Sequence, residues 1–422
     1  MGTNVIKVKP RFFYGYWILF ACFMAQFISS GLITYCFSVY VKPLTTDFGW
    51  SRASFMAGAT IMNLITGLSA PFVGKLLYRI GSKTMIAIGA LITGAGFALL
   101  SFTQSLWQFY VFYAVVGIGW ATMGIVPTSA VVSNWFKRRR DFAIGILGMG
   151  IGVGGFTMPL LTNNLITNYG WRSSFLIMGC MAALVMVPVS LLIVKNRPED
   201  MGLFPDGDTS GNVVQRVRPN SAPETSFTLA QALKTPVFWL MFLAFLTFSF
   251  ANQAIFQNHA PHLQDMEFSP AIAATAIGIV GIGSAFGKFG LGWLCDFIAP
   301  KYALVLGILF QSAAILILMN IKANSPIILV YLYAILLGLG VGSWLPAMSM
   351  TTSTTFGLAS YGTIFGIINL SSMLGGAAGP LAAGMIFDAN QSYFWSFIMS
   401  FGVYAVALPA IMLVRRPKVS KG

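Results

Sequence analysis

Apolar residues run along this chain in long blocks, separated by short clusters rich in Lys, Arg, Gly and Pro. A bilayer core needs about 20 apolar residues of helix per crossing, and that window predicts twelve spans at roughly 14–41, 54–76, 84–101, 107–132, 142–165, 172–194, 236–259, 270–295, 302–321, 327–350, 361–386 and 393–414. Lys7, Lys9 and Arg11 precede the first block as they would in a secretory signal. The block runs on to Val41 without a small-residue cleavage site, so it reads as a retained span. The fold class expected is an all-α membrane protein, twelve transmembrane helices in two pseudo-symmetric six-helix halves.

One block carries a charge well inside it. Ala271 to Pro300 reads AIAATAIGIVGIGSAFGKFGLGWLCDFIAP, with Lys288 roughly 12 Å from Asp296 at ~1.5 Å per residue. An ionisable side chain at bilayer depth costs a few kcal/mol on insertion scales and marks a substrate or ion path. Projected on a helix, Ile282, Phe286, Phe289 and Trp293 share one face, and Gly281, Ser284, Ala285 and Gly292 lie on the side of Lys288. The lysine is therefore expected to point into protein and not into lipid.

Composition agrees with a polytopic membrane protein: 57% of the 422 residues are hydrophobic and 9% charged, where a soluble domain carries about 25% charged. Cys22, Cys36, Cys180 and Cys295 lie in or beside apolar blocks without metal or redox spacing and read as small core residues. The formal charge of +14 needs no nucleic acid. With both termini cytoplasmic, twenty basic residues fall in inner segments, only Lys42, Arg52, Arg172 and Lys322 fall outside, and Lys288 lies within the membrane, as the positive-inside rule requires. The expected location is the inner (plasma) membrane.

Residues 195–235, with Pro198, Pro205, Pro219, Pro223, Gly207 and Gly211 and no apolar periodicity, read as a cytoplasmic linker between halves at 1–194 and 236–422. The halves resemble each other. GKLLYRIGSK (Gly74 to Lys83) and GWLCDFIAPK (Gly292 to Lys301) align at an offset of 218 residues, and Pro127 and Pro159 have counterparts in Pro346 and Pro380. A repeated six-span half with a midplane site between the copies is transporter architecture.

Gly74, Arg79, Gly81 and Lys83 resemble the signature loop of the major facilitator superfamily, with Tyr78 standing where that loop has an acid; the second half keeps its acid as Asp296. FGWSRA (Phe48 to Ala53), NWFKRRRDFAIG (Asn134 to Gly145), GWRSSF (Gly170 to Phe175) and NRPEDMGLFPDG (Asn196 to Gly207) are similar to the bacterial monocarboxylate-porter and oxalate/formate-exchanger branch. The resemblance implies alternating access and gives Gly74, Arg79, Gly292 and Asp296 a conformational role. It also implies that Lys288, four residues before Gly292 and eight before Asp296, stands where the branch has an arginine that grips a carboxylate. Lysine offers a rotatable point charge in place of a planar fork. The second cation of the oxalate exchanger would fall at Ile368, so a single buried cation suits a monoanion.

Polar and aromatic residues on neighbouring spans complete the expected pocket: Gln26, Ser30, Thr34 and Tyr35 on the first, Asn252, Phe256 and His259 on the seventh, Phe365, Asn369 and Ser372 on the eleventh. Each can equally serve as an interhelical hydrogen bond or packing contact. Glycines 145, 148, 150, 152, 154 and 155 follow no strand and read as close-packing residues, not a phosphate loop. All eleven acids fall in loops or at span ends, so Lys288 and His259 are the coupling candidates. Two histidines, His259 and His262, provide neither an enzyme site nor a metal cluster. The expected function is a carrier of small organic anions, monocarboxylates foremost, by proton symport; anion exchange and organic-cation export are the alternatives. No cofactor or metal is expected, the partners are the bilayer, the anion and a proton, and one chain suffices as the functional unit.

Overall fold

A computed structural model describes residues 13–207, 227–295, 297–357 and 360–417, and in them the chain is helical, with no strand. The helices are α1 (Gly15–Ser30), α2 (Val41–Phe48), α3 (Arg52–Ser101), α4 (Leu106–Met123), α5 (Ile125–Trp135), α6 (Arg140–Ile193), α7 (Leu229–Leu233), α8 (Pro236–Asp265), α9 (Pro270–Leu294), α10 (Lys301–Asn320), α11 (Ile327–Gly342), α12 (Trp344–Phe356), α13 (Tyr361–Asn390) and α14 (Phe394–Met412). Starts follow local chemistry. Thr235 and Ser269 accept from backbone N–H groups of α8 and α9, and Pro236 and Pro270 fill the first helical position, where no N–H is needed.

Ten segments among the described residues are long and apolar enough to cross a membrane, against the twelve spans expected. Two of them hold two expected spans each. A straight helix of 50 residues would be ~75 Å long, more than twice the bilayer core. Gly81 (φ 75°, ψ 163°) breaks α3, and Gly170 (φ 79°, ψ 165°) breaks α6, both in backbone open to glycine and strained for other residues. The fold-back at Gly81 is visible in the packing. Gly117 of α4 sits against Met62 while Gly119, two residues on, sits against Thr93, which no straight α3 could permit.

Two expected spans are broken in turn, between α4 and α5 at Gly124 and between α11 and α12 at Ser343. Pro127 and Pro346 each stand third in the helix that follows, a repeat of one proline-linked break in both halves. The first span is also irregular: Cys36 N–H donates to Gly31 C=O, a π-type turn over Gly31–Tyr35 that rotates the positions beyond it.

Helices α1 to α6 pack mainly on one another, and α8 to α14 likewise. Two seams join the groups, α6 on α9 and α3 on α13. Along α3 the seam residues recur every seven positions. Gly384 presses on Ala53, the Thr60 hydroxyl donates to Ala377 C=O, and a β-carbon on Gly67 would stand 2.9 Å from Met373 Sδ. At Gly74, next in the series, a β-carbon would meet nothing within 4 Å. The α6–α9 seam behaves in the same way. Gly155 and Phe156 contact Gly281 and Gly278, and Gly152 contacts Ala285, but Gly148 and Gly145 on the same face would meet nothing. The two groups thus close at the end bearing Arg52 and Asp388 and splay at the end bearing both described termini.

The stretch 195–207, the first part of the expected linker, is folded. Asn196 Oδ1 accepts from Lys83 N–H (2.9 Å), and Asn134 Nδ2 donates to Asn196 C=O. The Asp206 carboxylate accepts from the backbone N–H of Lys137 and Arg138 ahead of α6. The two motifs around Asn134 and Asn196, separate in sequence, form one clamp on α3, α5 and α6.

Candidate functional site

Lys288 stands where the α6–α9 seam opens. Ala285, one turn before it on α9, is held against Gly152. The next turn carries the lysine, and the facing positions of α6, Gly148 and Gly145, leave space. On the opposite side of α9 Phe286 (70% exposed), Phe289 (75%) and Trp293 (60%) face outward, as the helical projection predicts. Lys288 itself is half-buried. No described side chain hydrogen-bonds or ion-pairs with it. The α9 backbone is brought close to α11 by Gly342, whose α-carbon faces Lys288 N and Ser284 C=O.

One turn toward the closed end, Ser284 Oγ lies 3.0 Å from the Tyr35 hydroxyl, a bond between the two helix groups. Ser284 spends its own proton on Gly281 C=O (2.9 Å), so Tyr35 is the donor. The π-type turn at Gly31–Tyr35 sets this direction. Tyr35 also meets the Phe256 ring edge-on, with centroids 5.1 Å apart. Beside them Gln257 Nε2 reaches Thr34 C=O at 3.5 Å, and Gln257 Oε1, Gln253 Oε1, Thr34 Oγ1 and Ser38 Oγ are buried without a partner. Buried polar atoms are normally satisfied, so this layer reads as surface that meets water or ligand when the closed end parts.

The other expected pocket residues fall in several places. Asn252 donates to Gln311 Oε1 (3.3 Å), which the Tyr404 hydroxyl also reaches (2.5 Å), inside the α8–α14 group. His259 is fully buried in the same group, with Nδ1 3.2 Å from the Tyr333 hydroxyl. Phe365 stacks on Tyr361 (centroids 5.4 Å) and is partly buried, and Asn369 is half-buried one turn farther along α13. Ile368 is core, 0% exposed. Gln26 donates to Thr128 Oγ1 and accepts from Ser30 within the first group. Of the loop motif, Gly74 and Arg79 lie at the splayed end, Tyr78 is exposed, Gly292 faces Pro346, and Asp296 lies outside the described residues. Among the described residues no group of His, Cys, Asp and Glu is placed to hold a metal.

The sequence missed the charged cluster at the closed end. Lys42 Nζ lies 2.6 Å and Arg52 Nη2 3.3 Å from Asp265 Oδ1, while the Asp388 carboxylate accepts from the N–H groups of Arg52 (2.8 Å) and Ala53 (2.9 Å). The signal available was the coincidence of two acids and two of the four outer cations at span ends, which gave no pairing.

The arrangement is a charge at the point where two helix groups, joined by two seams that close toward one end, begin to part. A family model described as Major Facilitator Superfamily matches residues 18–380 and 260–422. Monocarboxylate transporter 13 of Bos taurus is 22% identical over 401 residues, covering 95% of this chain and 89% of that protein. The oxalate:formate antiporter of Oxalobacter formigenes is 23% identical over 423 residues, covering 99% and 95%. Among solved structures, a bacterial homologue of the human lysosomal transporter Spinster, inward-facing and unoccupied, superposes with a TM-score of 0.67 at 19% identity over 96% of this chain and 95% of that one. The all-helical fold with its ten apolar segments and the motif around Gly74 converge with these matches: the chain is a multi-pass transporter and belongs to the Major Facilitator Superfamily.

Proposed function

We propose that this transporter is a secondary carrier of small organic anions, monocarboxylates foremost, working by alternating access with Lys288 as the anchor for the substrate carboxylate. The observation that carries the reading is Lys288 itself, a cation inside an apolar helix at the point where the α6–α9 seam parts, with no described acid bonded to it. A cation at bilayer depth without a partner is costly, and a carboxylate offsets that cost. The relatives named as monocarboxylate transporters and an oxalate:formate antiporter support the substrate class.

In this reading the closed end is extracytoplasmic, the splayed end and both termini are cytoplasmic, and the halves are residues 1–194 and 236–422 with 195–235 as linker, in the plasma membrane and functional as one chain. Tyr35 and Ser284 roof the site; Asn369 and Phe365 contribute from α13. Asn252 and His259 act from behind, through the polar network of the second half. Coupling rests on Lys288: an unliganded carrier must rid itself of an uncompensated buried charge before it can reorient, by releasing a proton in symport or by taking a second anion in exchange. Symport is the reading adopted. The absence of any bonded acid beside Lys288 among the described residues favours exchange as the second reading.

The test is thermal stabilisation of the purified protein by acetate, propionate, lactate, formate and oxalate, and by a panel of organic cations, repeated on Lys288→Ala. Ligand that binds only the folded state raises the transition in proportion to log concentration. Stabilisation by a monocarboxylate in the native chain and not in the variant is expected. Stabilisation by cations alone would overturn the anion reading.

A further inference from the structure

The cluster at the closed end consists of two cations from one helix group and a carboxylate from the other. Lys42 lies in the first turn of α2 and Arg52 opens α3; Asp265 closes α8. Both cations contact the same oxygen, Asp265 Oδ1, so their nitrogens lie within about 6 Å of each other. Neither side of the contact is fully satisfied: Arg52 Nη1 and Asp265 Oδ2 are buried without partners, although the Arg52 side chain is only 10% exposed. Lys42 is 30% exposed and lines a cavity of about 580 Å³ at the same end, together with Asp47, Asn163, Trp171 and Gln264.

Alternating access requires this end to part, and parting separates Asp265 from Lys42 and Arg52 because they belong to opposite groups. The two cations stay together. Arg52 is held by its backbone position at the start of α3, ten residues from Lys42 in the same group, whereas the Phe387 ring 5.2 Å from its guanidinium belongs to the other group and parts from it together with Asp265. A desolvated guanidinium that loses a carboxylate partner is costly until another anion replaces it.

We infer that Lys42 and Arg52 form a second carboxylate-binding site at the outer mouth of the carrier, occupied by Asp265 while that end is closed and by incoming organic anion when it opens. The inference rests on the proposed anion-carrier reading. Asp265 is then a tethered competitor for the substrate, and the vestibule beside Lys42 is the route by which external anion reaches it. The ligand chemistry is a carboxylate compact enough to bridge an ammonium and a guanidinium no more than about 6 Å apart. The site makes the carrier asymmetric: it tunes affinity from the outside and leaves affinity from the inside to Lys288.

A simple latch and an anion site predict different signs. If the cluster only holds the outer end shut, Lys42→Gln, Arg52→Lys and Asp265→Asn all loosen it and all shift external KM in the same direction. If Lys42 and Arg52 bind substrate, Lys42→Gln raises the external KM and Asp265→Asn, by removing the competitor, lowers it. The experiment measures initial rates of labelled monocarboxylate (acetate, propionate, lactate) from each side in oriented proteoliposomes. Arg172→Gln serves as the control for general surface charge, because Arg172 is 52% exposed and pairs with Asp47 at the same end.

The expected result is a roughly tenfold or greater rise in external KM for Lys42→Gln, the size of one charge-assisted hydrogen bond, with internal KM unchanged. Arg52→Lys, which keeps charge and loses the fork, is expected between native and Lys42→Gln. Shifts of one sign in all variants, or equal shifts on both sides, or an equal effect of Arg172→Gln, would overturn the site while leaving the anion-carrier reading intact. No carboxylate flux through the native chain overturns that reading and this one with it.

Discussion

The Tyr35 hydroxyl donates to Ser284 across the boundary between the two helix groups, one turn along α9 from Lys288. The bond ties closure of the outer end to the lysine's surroundings. Tyr35→Phe removes it without orphaning Ser284, which keeps its donation to Gly281 C=O. A net loss near 1 kcal/mol shifts the balance between the two states about fivefold toward the outer-open one. The readout is a cysteine at Ser38, 1% exposed here, labelled from the side of the closed end, extracytoplasmic in the proposed orientation, by a membrane-impermeant maleimide. Its labelling rate is expected to rise by about that factor; an unchanged rate would mean that the bond does not hold the state.

The Asp388 carboxylate caps the first two N–H groups of α3 from the other helix group. A helix N-terminus favours an anion, and a cap of this kind contributes about 0.5–2 kcal/mol. Asp388→Ala should therefore speed labelling of the same Ser38→Cys reporter, roughly two- to thirtyfold on that energy scale. Asp388→Asn, which retains one acceptor oxygen, should fall between. An alanine variant that labels at the native rate excludes the cap from the outer closure.

Glycines on the α6–α9 seam separate into two sets. At Gly152 a β-carbon would come within 2.5 Å of Ala285 Cβ, so Gly152→Leu must force the outer end apart; at Gly148 nothing stands within 4 Å. Rocking about Lys288 would close the inner end and bring Gly148 against α9, a close approach that only a small residue permits. Gly148→Leu is expected to leave folding and carboxylate binding in place while lowering transport velocity by at least about tenfold, the effect of roughly 1.4 kcal/mol on the slow step. Gly152→Leu is expected to raise outer labelling instead. Native velocity in Gly148→Leu would show that the inner end closes elsewhere.

Hydropathy made the helical class and most span positions legible, because crossing a bilayer demands a length that composition reveals directly. The face of Lys288 was legible for a similar reason: Phe286, Phe289 and Trp293 form an outward-facing apolar row that leaves the lysine one direction to point. On α8 the same projection failed to discriminate. Asn252 and His259 turn to Gln311 and Tyr333, whereas Gln257, about 140° around the helix from Asn252, turns across the boundary to Thr34. Both faces are buried, and periodicity does not say which partner each meets. The direction of Tyr35 depends on a π-type turn with no signal beyond Gly31. The closed-end cluster joins Arg52 to Asp265 and Asp388, 213 and 336 positions away, and only the assembled seams bring them together.

Gly81 is the position where sequence, backbone and motif meet. Its backbone (φ 75°, ψ 163°) lies in territory that costs other residues about 1–3 kcal/mol, and its missing side chain leaves room for Asn196, whose Oδ1 accepts from Lys83 N–H. A β-carbon there would strike the Asn196 amide. Gly81→Ala therefore carries two costs, backbone strain and collision, and Asn196→Ala carries the loss of the clamp. If the collision is real, the double variant should be less destabilised than the two single losses together, by 0.5 kcal/mol or more, because removing Asn196 relieves one of Gly81→Ala's two costs. Denaturant or thermal unfolding in detergent of the native chain, both single variants and the double measures this coupling. Strictly additive losses would mean that Gly81 is required for its backbone angle alone, and that the clamp at Asn196 tolerates a side chain at the turn.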